Sequence, residues 1–118
     1  MKDKNQVKKE LYLRRQRRTR AKITGTAVKP RVSVFRSLAH ISVQAIDDIK
    51  KQTLATSSDK LIKAKGTKTE LAALVGEEFG KQLKAKKISN IVFDKGAYKY
   101  HGRVKALAEG IRKADIKF

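Results

Sequence analysis

Alternation of apolar and polar positions begins just after the only proline, Pro30. Arg31-Val-Ser-Val-Phe-Arg-Ser37 alternates and is rich in β-branched residues, which predicts a strand. Leu38-Ala39 suits a tight turn. The segment from His40 to Asp47 alternates again, with Ile41, Val43 and Ala45 on one face and His40, Ser42, Gln44 and Ile46 on the other. Asp48 to Lys51 reads as a turn, and Gln52 to Ser57 as a third, weaker strand. Three strands with short links make an antiparallel meander.

The period then changes from two to that of a helix. Thr67-Lys-Thr-Glu70 has the form of a capping box. Leu71, Leu74, Val75, Phe79 and Leu83 follow at helical spacing, which predicts a helix over about 68–86. Glu70, Glu77 and Glu78 lie in its N-terminal half and Lys81, Lys84, Lys86 and Lys87 at the other end, an order that suits the helix dipole. Ile91-Val-Phe93 is continuously apolar, which predicts a short strand, central in the sheet and covered on both faces. Val104, Leu107, Ala108 and Ile111 form a second helical stripe. The order βββαβα predicts a mixed α/β fold. The last strand lies parallel to a meander strand in a four-stranded mixed sheet, packed by two helices.

Residues 1–22 fit no such pattern. They hold ten basic residues against two acidic ones, and all five of their arginines fall between Arg14 and Arg20. The guanidinium fork grips two phosphate oxygens or stacks on a base, which lysine cannot do. Leu11, Tyr12 and Leu13 are adjacent and point to different sides of a helix, too little to fix one by packing. The division expected is therefore a basic arm over 1–22, loosely ordered alone and helical on nucleic acid, and a folded body over 23–118.

Composition narrows the function. The 118 residues carry a net charge of +19, which repels itself unless a polyanion neutralises it. Nucleic acid leads as a partner, ahead of an anionic membrane surface, for which the arm lacks an apolar face. No apolar run is long enough to span a bilayer, and no secretory signal is expected. With no cysteine and only His40 and His101 as imidazoles, thiolate or zinc sites are not expected. Gly76-Glu-Glu-Phe-Gly80-Lys81 has the wrong spacing for a phosphate loop and falls inside the helix. A two-metal nuclease would need carboxylates converging on the sheet, and the first strand has none; Asp94 reads as a strand-end turn former. No enzyme and no cofactor is expected. The loop from Asp94 to Arg103 interleaves Tyr98, Tyr100 and His101 with Lys95, Lys99 and Arg103, a mixture that suits RNA, unless the tyrosines lean on the core instead. Arg36, Ser37 and His40 flank the first hairpin, as RNA contacts or as a solvated turn. A general RNA chaperone or DNA-compacting protein has the same charge.

Three blocks carry a resemblance: Val34-Phe35-Arg36-Ser37 with His40-Ile41, Gln44-Ala45-Ile46-Asp47-Asp48, and Val92-Phe93-Asp94-Lys95-Gly96 continuing through Tyr98 and Tyr100-His101-Gly102-Arg103 to Ala108. Over roughly residues 11–118 the chain closely resembles the family of bacterial large-subunit ribosomal protein eighteen. The resemblance implies a cytoplasmic, structural component of the large ribosomal subunit. It would bind 5S ribosomal RNA and help attach it to 23S RNA in the central protuberance, beside other 5S-binding proteins. It also implies a sheet of the ribonuclease-H-like type without the active site. The family's RNA-facing positions map onto Arg14, Arg15, Arg17, Arg18, Arg20 and Lys22 in the arm. They map onto Arg36, Ser37 and His40 at the hairpin, and onto Lys95, Tyr98, Tyr100, His101 and Arg103 in the late loop. Ala97 stands where the family often has glycine, and Lys99 where it has an apolar residue.

Overall fold

The computed structural model describes residues 3–21, 23–62 and 65–118. A helix α1 (Lys4–Arg20) precedes the meander β1 (Arg31–Arg36), β2 (Ile41–Asp47) and β3 (Gln52–Ser58). A single turn of helix, α2 (Asp59–Ile62), leads to α3 (Lys68–Ala85), then β4 (Val92–Asp94) and α4 (Arg103–Arg112). The sheet order is β3-β2-β1-β4, with β1 and β4 parallel and the other pairs antiparallel. This is the mixed α/β sheet that the alternation predicts.

One placement differs. β4 is short, as expected, but it stands at the sheet edge rather than in the centre. Its apolar character comes from another source. Phe93 stacks on the C-terminal Phe118 with centroids 5.4 Å apart and meets Tyr100 edge-on at 6.1 Å. The chain end, bridged at Lys117 to Asn90, covers what a neighbouring strand would have covered.

The core lies between one sheet face and the helices α3 and α4. Val32, Val34, Ile41, Val43 and Ala45 meet Val75, Phe79 and Leu83 of α3 and Val104, Leu107 and Ile111 of α4. The capping box at α3 is formed in both directions: Thr67 accepts from the Glu70 N–H, and Glu70 reaches back to the Thr67 N–H. The buried line of α3 departs from the sequence stripe, because Gly76 and Gly80 belong to it while Leu74 is partly exposed. These glycines let α4 approach to backbone contact. A Cβ on Gly76 would overlap the Leu107 carbonyl oxygen, and one on Gly80 would come within 2.6 Å of the Ala114 methyl. Gly76→Ala is therefore expected to lower stability by about 2 kcal/mol, because overpacking outweighs the better helix propensity of alanine. Urea denaturation of the two proteins reads this directly.

Candidate nucleic-acid interface

The arm begins with its own capping box, in which Asp3 accepts from the Gln6 N–H at 2.8 Å and Gln6 returns the bond. Its cations Arg17, Arg18 and Arg20 lie in the last turn, where they oppose the helix dipole favourably. No residue of α1 is fully buried, so its position depends on a few ties to the body.

Those ties are specific. Tyr12 and Thr19 stand two helical turns apart, on one face. The Tyr12 ring meets Tyr98 edge-on at 6.2 Å, and its hydroxyl lies 3.5 Å from that of Tyr98. This contact and partial burial push the Tyr12 hydroxyl above its ordinary pKa. Thr19 donates to the Gly96 carbonyl at 2.9 Å. Arg20 Nε lies 3.5 Å from the carboxylate of Asp94, which is fully buried.

Asp94 is thus more than a turn former. Its Oδ1 does accept from the Gly96 N–H at 2.8 Å, the local role that its place at a strand end predicts. Its Oδ2 also receives Arg31 Nη1 at 2.9 Å. Arg31 in turn holds Asp48 through Nε and Nη2, both at 3.0 Å. Asp48 also accepts from the Gly25 N–H at 2.7 Å, so this chain of charges joins the arm, its connection to β1, the β2–β3 turn and β4.

The hydrogen bond from Arg31 holds the Asp48 carboxyl below its ordinary pKa, helped by the Gly25 N–H and opposed by partial burial. The folded chain then binds fewer protons than the unfolded chain near pH 4. Stability from Asp48 is complete above that range and is lost as pH falls through the lowered value. Thermal melts between pH 2 and 6 should show a loss on acidification that is smaller in Asp48→Asn.

The late loop is held by the same groups that looked available for RNA. The Tyr98 hydroxyl donates to the Arg36 carbonyl and accepts from the Arg36 N–H, both at 3.1 Å, while the Arg36 guanidinium lies 5.1 Å from the Tyr98 ring centre. Arg103 Nη1 donates to the Ser37 carbonyl at 2.8 Å. Ser37 closes the hairpin turn: its N–H donates to the His40 carbonyl at 2.8 Å and its Oγ accepts from the His40 N–H at 3.1 Å. Gly96 and Gly102 supply the positive-φ residues of the loop, at 64° and 57°, and Ala97 is not among the residues of positive φ. Alanine therefore carries no backbone strain there.

Two open clefts result where arm, hairpin and loop meet. One, of about 340 Å³, is lined by Arg15, Arg36, Tyr98, Lys99 and His101 among others. Its neighbour, of about 230 Å³, is lined by Arg15, Arg18, Thr19, Lys95 and Lys99 with the loop backbone. Neither lining contains an acid. Arg14 and Arg17 lie around the helix, beside Glu10 and Leu13. Two residues of the expected set face elsewhere: His40 Nδ1 pairs with Asp59 at 3.1 Å, and the Tyr100 hydroxyl receives Arg112 at 3.3 Å. Lys22 lies outside the described residues. Tyr12, Thr19, Arg31 and Asp94 were not legible as arm-docking residues. The spacing from Tyr12 to Thr19 was the available signal.

The described residues contain no group of three or more His, Cys, Asp or Glu able to hold a metal, and no helix among them is long and apolar enough to cross a membrane. Residues 6–118 match the family described as ribosomal L18 of archaea, bacteria, mitochondria and chloroplast. The chain belongs to this family. Relatives named large ribosomal subunit protein uL18 are similar along nearly the whole chain. That of Streptococcus suis is 50% identical over 118 residues, covering 98% of this chain and 93% of the relative. That of Solibacter usitatus is 50% identical over 113 residues, with 94% and 95% covered. That of Leuconostoc mesenteroides is 48% identical over 111 residues, also with 94% and 95% covered. As a member of this family, the chain is a structural, RNA-binding constituent of the large ribosomal subunit and not an enzyme.

Proposed function

We propose that the chain binds 5S ribosomal RNA and fastens it to 23S RNA in the central protuberance, beside other 5S-binding proteins of the large subunit. The observation that carries this reading is the joining of arm, hairpin and late loop into one cationic surface whose two clefts share Arg15. The body presents this surface to folded RNA, and the arm over residues 1–22 continues along the RNA toward the second molecule. Arg14, Arg15, Arg17, Arg18, Arg20 and Lys22 meet phosphates from the arm, with Arg36, Lys95, His101 and Arg103 meeting them from the body. Tyr98 positions Arg36 at the edge of the cleft. Ser37 and His40 shape the hairpin that approaches the RNA, and Tyr100 supports the loop from behind.

Binding to 5S RNA and to transfer RNA, measured at two salt concentrations, tests this. Neutralisation of about six phosphates gives a slope of log K against log salt of roughly −4 to −5. The expected result is that slope together with a preference for 5S RNA that survives the higher salt. Equal, salt-labile binding to both RNAs would reduce the chain in isolation to a general polyanion binder and sink the claim of 5S selection.

A further inference from the structure

The helices α3 and α4 cover only one face of the sheet. On the other, Ser33, Phe35, Ser42, Gln44 and Thr56 are partly or largely exposed. The cross-strand pairs Ser33–Gln44, Gln44–Thr56 and Phe35–Ser42 place them together. None carries a charge. Phe35 is 60% exposed, paired with Ser42 of β2 and just beyond the Arg31–Ser33 stretch that pairs with β4. A large ring standing among hydroxyls and an amide on a solvent face adds nothing to the core.

The arm is attached to the body near this position in the sheet. Parallel pairing sets Asp94 beside Ser33, so its carboxylate rises on the same face as Phe35, and Arg20 reaches it there. At the other end, Tyr12 meets Tyr98, whose hydroxyl holds the backbone of Arg36. The second half of α1 is thus tied to the body at Tyr12, through Tyr98, near Arg36, and at Arg20, through Asp94, near Ser33, the β1 positions on either side of Phe35. This face thus combines a polar surface, one exposed aromatic ring, and an arginine-bearing helix tied to the body on either side of the ring's position in β1.

We propose that this face is a further RNA contact, which holds an unpaired nucleotide with its base stacked on Phe35 and its backbone toward the arm. A base presents a flat face to the ring, while Ser33, Ser42 and Gln44 offer hydrogen bonds to its edge and to a ribose hydroxyl. The face is too polar for an apolar protein surface, and the arm has the wrong sign for a basic one. The proposal rests on ribosomal RNA binding by this chain, not on which RNA is selected.

The chain has no tryptophan, so Phe35→Trp introduces a single reporter. Its emission should be quenched on titration with 5S RNA and, separately, with single-stranded oligoadenylate. Phe35→Ala should weaken RNA binding roughly 5- to 100-fold, the range of one lost stacking contact, without changing the salt slope. Phe35→Tyr should retain affinity, whereas Phe35→Leu, equally apolar but not planar, should not. Unchanged melting temperatures would show that these exposed substitutions leave the fold intact. RNA binding without quenching, or equal affinities for the Leu and Tyr variants, would overturn the proposal. So would self-association that Phe35→Ala abolishes with RNA affinity unchanged, which would assign the face to a second copy of the chain. If 5S RNA failed to bind at all, the 5S reading would fall while the oligoadenylate titration still decided the role of Phe35.

Discussion

Asp94→Asn should lower the stability of the folded chain by about 3 kcal/mol, the lower range for removing one partner of a buried ion pair. The carboxylate is fully buried and receives Arg31 at 2.9 Å, Arg20 at 3.5 Å and the Gly96 N–H at 2.8 Å. Asparagine retains the shape and can still accept from Gly96, but its amide N–H₂ would face the arginines. Arg31 remains paired with Asp48, which keeps the loss from being larger. For a domain of this size the melting temperature should fall by about 12 °C. RNA binding supplies a second readout with the opposite sign from simple electrostatics. The substitution raises the net charge of +19 by one, so a charge-only account expects tighter binding. Loss of the Arg20 tie releases one end of the arm and adds its ordering entropy to the cost of binding, so the docked geometry expects weaker binding, by about tenfold. Measured at low temperature, where circular dichroism shows the variant folded, tighter binding would mean that arm docking has no part in recognition.

The parts of this fold that were legible in the sequence are those set by local rules. Alternation placed β1 to β3 because each has one buried and one solvated face, and the Thr67–Glu70 box fixed the start of α3. Rules that depend on distant partners were not legible. Ile91-Val-Phe93 reads as a central strand because three apolar residues in a row need cover on both faces, yet the cover is the C-terminal Phe118. Gly76 and Gly80 are silent in an apolar pattern, although they decide how closely α4 approaches. The short helix α2 has too few residues to show a period.

The candidate site divides in the same way. Its cations could be read from composition, since phosphate recognition depends on residue type and local density. Their arrangement could not, because it depends on uncharged or buried residues that look ordinary one at a time. Tyr98 illustrates this. As a loop aromatic among cations it suggested base stacking, but its hydroxyl fastens the loop to β1 and its ring orients Arg36. Phe35 illustrates the converse. It sat unremarked in an alternating strand, where a solvent-facing phenylalanine stands out only once the uncovered face is known.

The substitution Arg14→Gln, Arg17→Gln, Arg18→Gln should have the largest effect on binding. With Tyr12 and Thr19 turned toward the body, Arg14 and Arg17 fall on the opposite side of α1, and Arg18 lies on its flank, where it lines the cleft with Thr19 and Lys95. All three are exposed, so each is available to phosphate. Glutamine has nearly the helix propensity of arginine, so α1 and its ties at Tyr12, Thr19 and Arg20 should remain. Loss of three phosphate contacts should reduce the magnitude of the salt slope by about 2 to 3 and lower affinity at 0.1 M salt by roughly 10²- to 10³-fold. The control removes the same charge from elsewhere. Lys81, Lys84 and Lys87 are exposed on and just beyond α3, which packs on the sheet face opposite the one where Asp94 meets the arm. Their triple substitution by glutamine should leave the slope nearly unchanged. Titration of both variants with 5S RNA across a salt series separates two accounts. If the two substitutions flatten the slope equally, net charge alone governs association and the arm is not a site. If only the arm variant does so, the arginine ridge lies against the RNA while the opposite side of the same helix is held to the body.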